Sequence, residues 1–206
     1  MQNKFYKNFP FLLIVIILSS SSLILNSCHC SCGAADAADV PLSVLKKANE
    51  FIIARTGKTF FNKYIEPDFV KTKYYKPDYK IAYRLFMPEK PYVNALIEFT
   101  IDAEGNVDTT KNVIGIPNCA NDSNACSFNI DEKKAEQIAK DNGLTAGVAK
   151  WKTGFLWDKE LNQYVWHVLS TFNESGKGKE YKGDGKEIVI DPGTGLVLKA
   201  YNWRIP

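Results

Sequence analysis

The chain has 206 residues and a formal net charge of +3, from 26 Lys and Arg against 23 Asp and Glu. The first 27 residues hold two of those cations, Lys4 and Lys7, and no acid, so residues 28–206 are balanced to within one charge and have no global field to recruit nucleic acid or a strongly acidic partner. Their length fits one domain or two small ones, and an aromatic content of 13%, with four Trp and ten Tyr, supplies a sheet core.

Residues 1–27 read as a secretory signal. Lys4 and Lys7 precede the apolar run Phe11–Leu18, which is short for a membrane span. Leu25-Asn26-Ser27-Cys28 resembles the lipobox of bacterial lipoproteins, with an aliphatic residue three places before the cysteine and a small one just before it. The resemblance implies cleavage before Cys28, a diacylglycerol on its thiol and an acyl group such as palmitate on the new amine. It also implies a membrane-anchored envelope protein facing the periplasm, with the outer membrane expected ahead of the inner. A plain signal peptide or an uncleaved anchor is the alternative. Residues 28–40 then form a lipidated, flexible tether. His29, Cys30 and Cys32 crowd it, but three residues on a flexible segment make a poor metal cage, so no metal is expected.

Residues 41–117 suggest a first α+β unit. Pro41 suits the start of a helix, and Val44, Leu45, Ala48, Phe51 and Ile52 recur at spacings of three and four. Gly57 stops that helix, and Phe60, Phe61, Tyr64 and Ile65 form an aromatic connector. Strands are expected at 69–75, 79–87, 92–101 and 107–116, punctuated by Lys76-Pro77-Asp78, Pro88-Glu89-Lys90-Pro91 and the turn after Asp102.

Residues 118–128 form a polar linker enclosed by Cys119 and Cys126. In an oxidising compartment a disulfide is the default for so close a pair. The second unit, 129–206, opens with Asn129 and Glu132 spaced as a capping box. A narrow apolar face of Ala135, Ile138 and Ala139 comes next, and Asn142-Gly143-Leu144 ends the helix. Strands are expected at 148–157, 164–172, 186–190 and 196–203, with 174–185 as a solvated, mobile loop. In both halves a strand ending in Ile-Asp, at Asp102 and Asp191, leads into a glycine-containing turn and a departing strand. This echo suggests an internal repeat: two similar helix-plus-four-strand antiparallel units.

The second half resembles the PepSY family, small domains of secreted and membrane-bound bacterial proteins. The resemblance rests on the helix Ile130–Ala139, the strand Tyr164–Val168 and the hairpin Ile188–Val197 with its Asp191-Pro192-Gly193-Thr194-Gly195 turn. Residues 41–116 share only the shape, since Ala103-Glu104-Gly105 lacks the Thr-Gly pair. The resemblance implies a tandem PepSY-like body without catalytic residues or cofactor, in a family proposed to restrain peptidases or to act as an interaction module.

The residues themselves point the same way. His167, the only histidine after the tether, lies between Trp166 and Val168 and has no Ser or Cys motif around it, which favours a sheet-face residue over a base. Asp102 and Asp191 suit turn formation. Tyr74, Tyr75, Tyr79, Tyr83 and Tyr92, together with Trp166, are candidates for a peptide- or glycan-binding face, or else for the cap of a sheet core. Lys177 and Lys179 could touch anionic headgroups or simply be solvated. The expected function is a lipid-anchored, non-catalytic envelope protein that binds protein or peptide. A peptidase inhibitor and a periplasmic small-ligand carrier are the rivals.

Overall fold

A computed structural model describes residues 39–111 and 113–206. The lipobox, Cys28, Cys30 and Cys32 lie outside the described residues.

Helix α1 (Leu42–Thr56) buries Val44, Ala48, Ile52 and Thr56, one residue per turn. It stops where expected, at Gly57, whose φ of 78° no β-carbon opposes. A short helix α2 (Lys58–Tyr64) comes next, where the sequence suggested only a connector. It buries Phe61 and leads into strand β1 (Ile65–Pro67).

The first sheet is built on β3 (Asp78–Phe86), which pairs antiparallel with β4 (Asn94–Ile101) on one side. On its other side lie β1 and β2 (Lys73–Tyr75), end to end rather than as one strand. Two expectations are corrected here. The strand at 69–75 shrinks to Lys73–Tyr75 because the Thr72 hydroxyl takes a ladder position, accepting the Ala82 N–H at 3.1 Å. The strand at 107–116 reduces to isolated bridges, Ile101 with Val107 and Glu98 with Ile114. Between them Asp108 turns the chain by accepting from the backbone and hydroxyl of Thr110.

Cys119 and Cys126 are disulfide-bonded with Cα atoms 5.4 Å apart. They enclose a single 3₁₀ turn, and the Ala120 N–H ties the loop to the Arg55 carbonyl of α1 at 2.8 Å.

Helix α3 (Glu132–Asp141) is capped by Asp131, which accepts the Lys134 N–H at 2.9 Å, and not by Asn129. Residues 129–130 are held elsewhere: the Ile130 N–H donates to Pro192 and its carbonyl accepts from the Trp166 indole. The far end is a Schellman motif, with Leu144 N–H on Ala139 and Gly143 N–H on Lys140, both at 3.0 Å.

The second sheet runs β5 (Lys152–Asp158), β6 (Gln163–Ser175), β7 (Lys182–Ile190) and β8 (Val197–Ile205), a four-stranded antiparallel meander. β5 starts four residues later than expected, because Thr145 accepts from Ser170 and Trp151 and holds the preceding segment in a loop. Half of the expected loop 174–185 is strand: β6 and β7 pair out to Ser175 and Lys182, and only 176–181 turns. At Asp191 one carboxylate oxygen accepts the Gly193 and Thr194 N–H groups at 2.9 and 2.7 Å, and Gly195 turns at φ 78°.

Among the described residues three α-helices and two four-stranded antiparallel sheets make an α+β fold, and Asp36–Pro206 is one compact unit. One core joins α1 and α2 to β3 and β4 through Ile81, Tyr83, Leu85, Ile97 and Phe99. The other joins α3 to the second sheet through Ala135, Ala139, Trp166, Val168, Ile188 and Ile190. Tyr92 and Phe155 pack against both.

Candidate functional site

The aromatic residues singled out from the sequence do not share an exposed face. Tyr83 is fully buried in the first core, its hydroxyl donating to Asn49 Oδ1 at 2.6 Å. Tyr92 packs between Phe155 and Trp166, with centroids 5.9 and 5.3 Å away, and donates to the Phe128 carbonyl at 2.6 Å. Trp166 is buried and donates its indole N–H to Ile130 at 2.8 Å. Tyr79 packs on the first core and against Tyr74, 4.9 Å away. Of the six, Tyr74 and Tyr75 are exposed, whereas Tyr83, Tyr92 and Trp166 have both ring and polar atom committed to the interior. Their arrangement is that of a core cap, the structural reading the sequence also allowed.

One face of the second sheet is turned away from α3. Strand alternation and register place Gly154, Leu156 and Asp158 of β5 on it, with Val165, His167 and Leu169 of β6, Glu187 and Val189 of β7, and Lys199, Tyr201 and Trp203 of β8. Val165 and Val189 are buried at its floor, while Leu156 and Tyr201 are 57% and 43% exposed. Trp203 lies over Gly185, where a β-carbon would meet its ring at 2.8 Å, so glycine there is the condition for the indole to lie flat on the sheet.

Three side chains make a hydrogen-bonded chain across this face. His167 Nδ1 bonds Glu187 Oε1, and Tyr201 donates to Glu187 Oε2 at 2.8 Å. Burial pushes the Glu187 carboxyl up, but the bonds from His167 and Tyr201 outweigh it and hold the group below the ordinary carboxylate value. Burial, reinforced by the Glu187 charge, pushes Tyr201 up to about 12. Beside them Lys199 reaches Glu160 at 2.7 Å and Asp158 at 3.4 Å, and the bond to Glu160 leads in raising the lysine above its usual value.

This arrangement can orient an imidazole and fix charges, and among the described residues no hydroxyl or thiol is bonded to His167. The nearby Ser170 faces the other way, donating to Thr145. Among the described residues no group of three His, Cys, Asp or Glu comes together to hold a metal ion. Sequence reasoning singled out His167 but missed Glu187 and Tyr201. For Glu187 the signal was alternation, since it flanks buried Ile188 as His167 flanks buried Trp166 and Val168; Tyr201 has exposed neighbours on both sides and comes to the same face only through its register opposite Glu187.

The chain matches no protein-family model, no curated protein and no solved structure.

Proposed function

We propose that the chain is a non-catalytic, lipid-anchored envelope protein with a tandem PepSY-like body, and that the open face of its second sheet binds protein or peptide. The observation that carries this reading is the asymmetry of that sheet. α3 covers one face, while the other offers Leu156, Tyr201 and Trp203 beside the oriented charges of Glu187, Lys199 and Asp158. Rigid aromatics among fixed polar groups suit recognition of another polypeptide. The tandem reading draws support from a helix preceding each sheet and from Asp102 and Asp191, which organise the equivalent turns. Anchorage in this reading falls to Cys28, which the lipobox resemblance supports; among the described residues no helix is long and apolar enough to cross a membrane.

Peptidase inhibition is a second reading, favoured by the β6–β7 ribbon. It runs past Lys152, the first residue of β5, with β8 paired alongside as far as Gly183, and closes in the short turn 176–181, a pre-organised tip of the kind that enters a cleft.

The test is affinity capture from detergent-solubilised envelope with Asp36–Pro206 as bait, beside a Leu156→Asp, Tyr201→Ala double variant. A defined protein or peptide should be held by the wild type and lost from the variant, with the circular dichroism of both unchanged. Equal capture by both, or capture by neither, refutes the reading.

A further inference from the structure

The edge of the first sheet carries a patch for which the second sheet's role has no use. Asp68–Thr72 leaves the ladder between β1 and β2. Thr72, itself 1% exposed, fixes that excursion: its hydroxyl donates to the Asp68 carbonyl at 2.9 Å and accepts the Ala82 N–H at 3.1 Å. The Asp68 N–H donates to Ala82 at 2.9 Å, and the Lys71 N–H to Asp68 Oδ1 at 3.0 Å. The loop so fixed holds Phe69 and Val70 out at 48% and 78% exposure. The adjoining hairpin adds Tyr74 and Tyr75 at 51% and 63%. A single exposed apolar side chain is ordinary, whereas here four large ones lie within Phe69–Tyr75, with Tyr74 on one face of the edge strand β2 and Tyr75 with Lys73 on the other, so that the edge itself is apolar on both sides and calls for a partner.

Charge says which partner. The acids around the patch already face cations: Asp68 has Lys71, Glu66 has Arg84, Glu98 has Lys80, and Asp78 shares Lys111 with Asp108. Lys73 and Lys76 have no acid partner among the described residues, so the patch is aromatic, apolar and net positive. Protein interfaces deplete lysine around their aromatic anchors. At a lipid headgroup layer the same combination is favoured, because rings enter the acyl boundary while lysine amines stay with the phosphates.

We propose that Phe69–Lys76 is a membrane-contact surface that docks the folded body onto an anionic lipid bilayer. The contact needs no lipid on Cys28. A tether of that kind limits how far the body travels from the bilayer, whereas this surface sets which way the body faces.

The test uses Asp36–Pro206, a single compact unit whose two cores close on residues 40–197 and which carries neither leader nor Cys28. It is sedimented with vesicles of phosphatidylethanolamine and phosphatidylglycerol, and in parallel with phosphatidylcholine alone. Binding should favour the anionic vesicles and weaken with salt. Lys73→Ser and Lys76→Ser should each lower the partition coefficient about five-fold. Phe69→Ser with Val70→Ser should lower it about ten-fold or more. All four positions are at the surface, so these variants keep the fold. Lys177→Ser with Lys179→Ser, on the β6–β7 turn, should leave binding unchanged. No binding, equal binding to both vesicle types, or binding untouched by the patch variants overturns the proposal. None of these outcomes bears on the protein-binding reading, which rests on other residues and another assay.

Discussion

Phe128 closes the junction between the two sheets and does so from an unfavourable backbone position. Its ring is 1% exposed and meets Phe155 and Tyr164 edge to face, with centroids at 5.3 and 5.9 Å. Its φ is 40°, in the left-handed region that costs a side-chain-bearing residue about 1 kcal/mol or more. Tyr92 on the Phe128 carbonyl and Lys90 on the Ser127 carbonyl hold the backbone there. Phe128→Ala removes the ring and keeps the strain, so it should lose about 3–5 kcal/mol. Phe128→Gly removes the ring and also relieves the strain. Glycine gives up more chain entropy on folding, yet the relief is larger, and the Gly variant should be about 1 kcal/mol more stable than the Ala variant. At a slope of about 2 kcal/mol per molar urea, the midpoint falls by roughly 2 M for Ala and about 0.5 M less for Gly. Urea unfolding followed by tryptophan fluorescence reads both. A Gly variant no more stable than the Ala variant, or a loss below about 1 kcal/mol, would refute this account of the junction.

Three further outcomes are expected. Glu187 is held below its ordinary value of 4.5, so its contribution is complete above that pH and is lost as pH falls through the folded-state value. Stability measured from neutral to acid pH should therefore fall more steeply in the wild type than in Glu187→Gln, and parallel curves would contradict the chain His167–Glu187–Tyr201. Gly115 has φ 79° and a β-carbon there would meet the Leu96 carbonyl oxygen at 2.4 Å, whereas Gly57 at φ 78° has nothing within 4 Å. Gly115→Ala should cost well over the roughly 1 kcal/mol that conformation alone costs in Gly57→Ala, and equal melting temperatures for the two would count against the packing around Tyr164. Cys119→Ser with Cys126→Ser should cost about 2–3 kcal/mol on chain-entropy grounds, and an unchanged unfolding midpoint would show that the loop's ties to α1 suffice without the bond.

Much of the fold was legible wherever a local signal coincided with a tertiary need. Gly57 and the Asn142-Gly143-Leu144 stop are correct to the residue because a left-handed C-terminal residue is a backbone requirement that glycine alone meets cheaply. The Asp102 and Asp191 turns were legible for a similar reason, since a short carboxylate bonds amides two to four residues on. The misreadings arise where a distant partner outbids the local preference. Asn129 has the spacing of a cap, but Ile130 is pinned to the Asp191 turn and the Trp166 indole, and the helix waits for Asp131. A run rich in strand formers at 69–75 is cut by one hydroxyl, that of Thr72, which pairs with a residue ten positions away. The candidate site was the least legible part. Its three polar residues sit on three different strands, and their meeting depends on the register of two strand pairings that composition does not encode.

The polar chain on the second sheet also bears on what that face is for. A carboxylate as buried as Glu187 is costly on a sheet face, and an apolar residue of similar volume would serve the stability of the free protein as well or better. What Glu187 supplies instead is orientation: it locks the His167 ring and the Tyr201 hydroxyl in fixed positions on the same face of the sheet as exposed Leu156. An apolar sheet face left open would associate with any hydrophobic surface it met. Fixed donors and acceptors across the same face penalise every partner that cannot match them, because each mismatch strands a desolvated polar group. The arrangement therefore fits selective binding of one polar polypeptide surface better than storage of an apolar ligand, for which a buried carboxylate with two donors has no use.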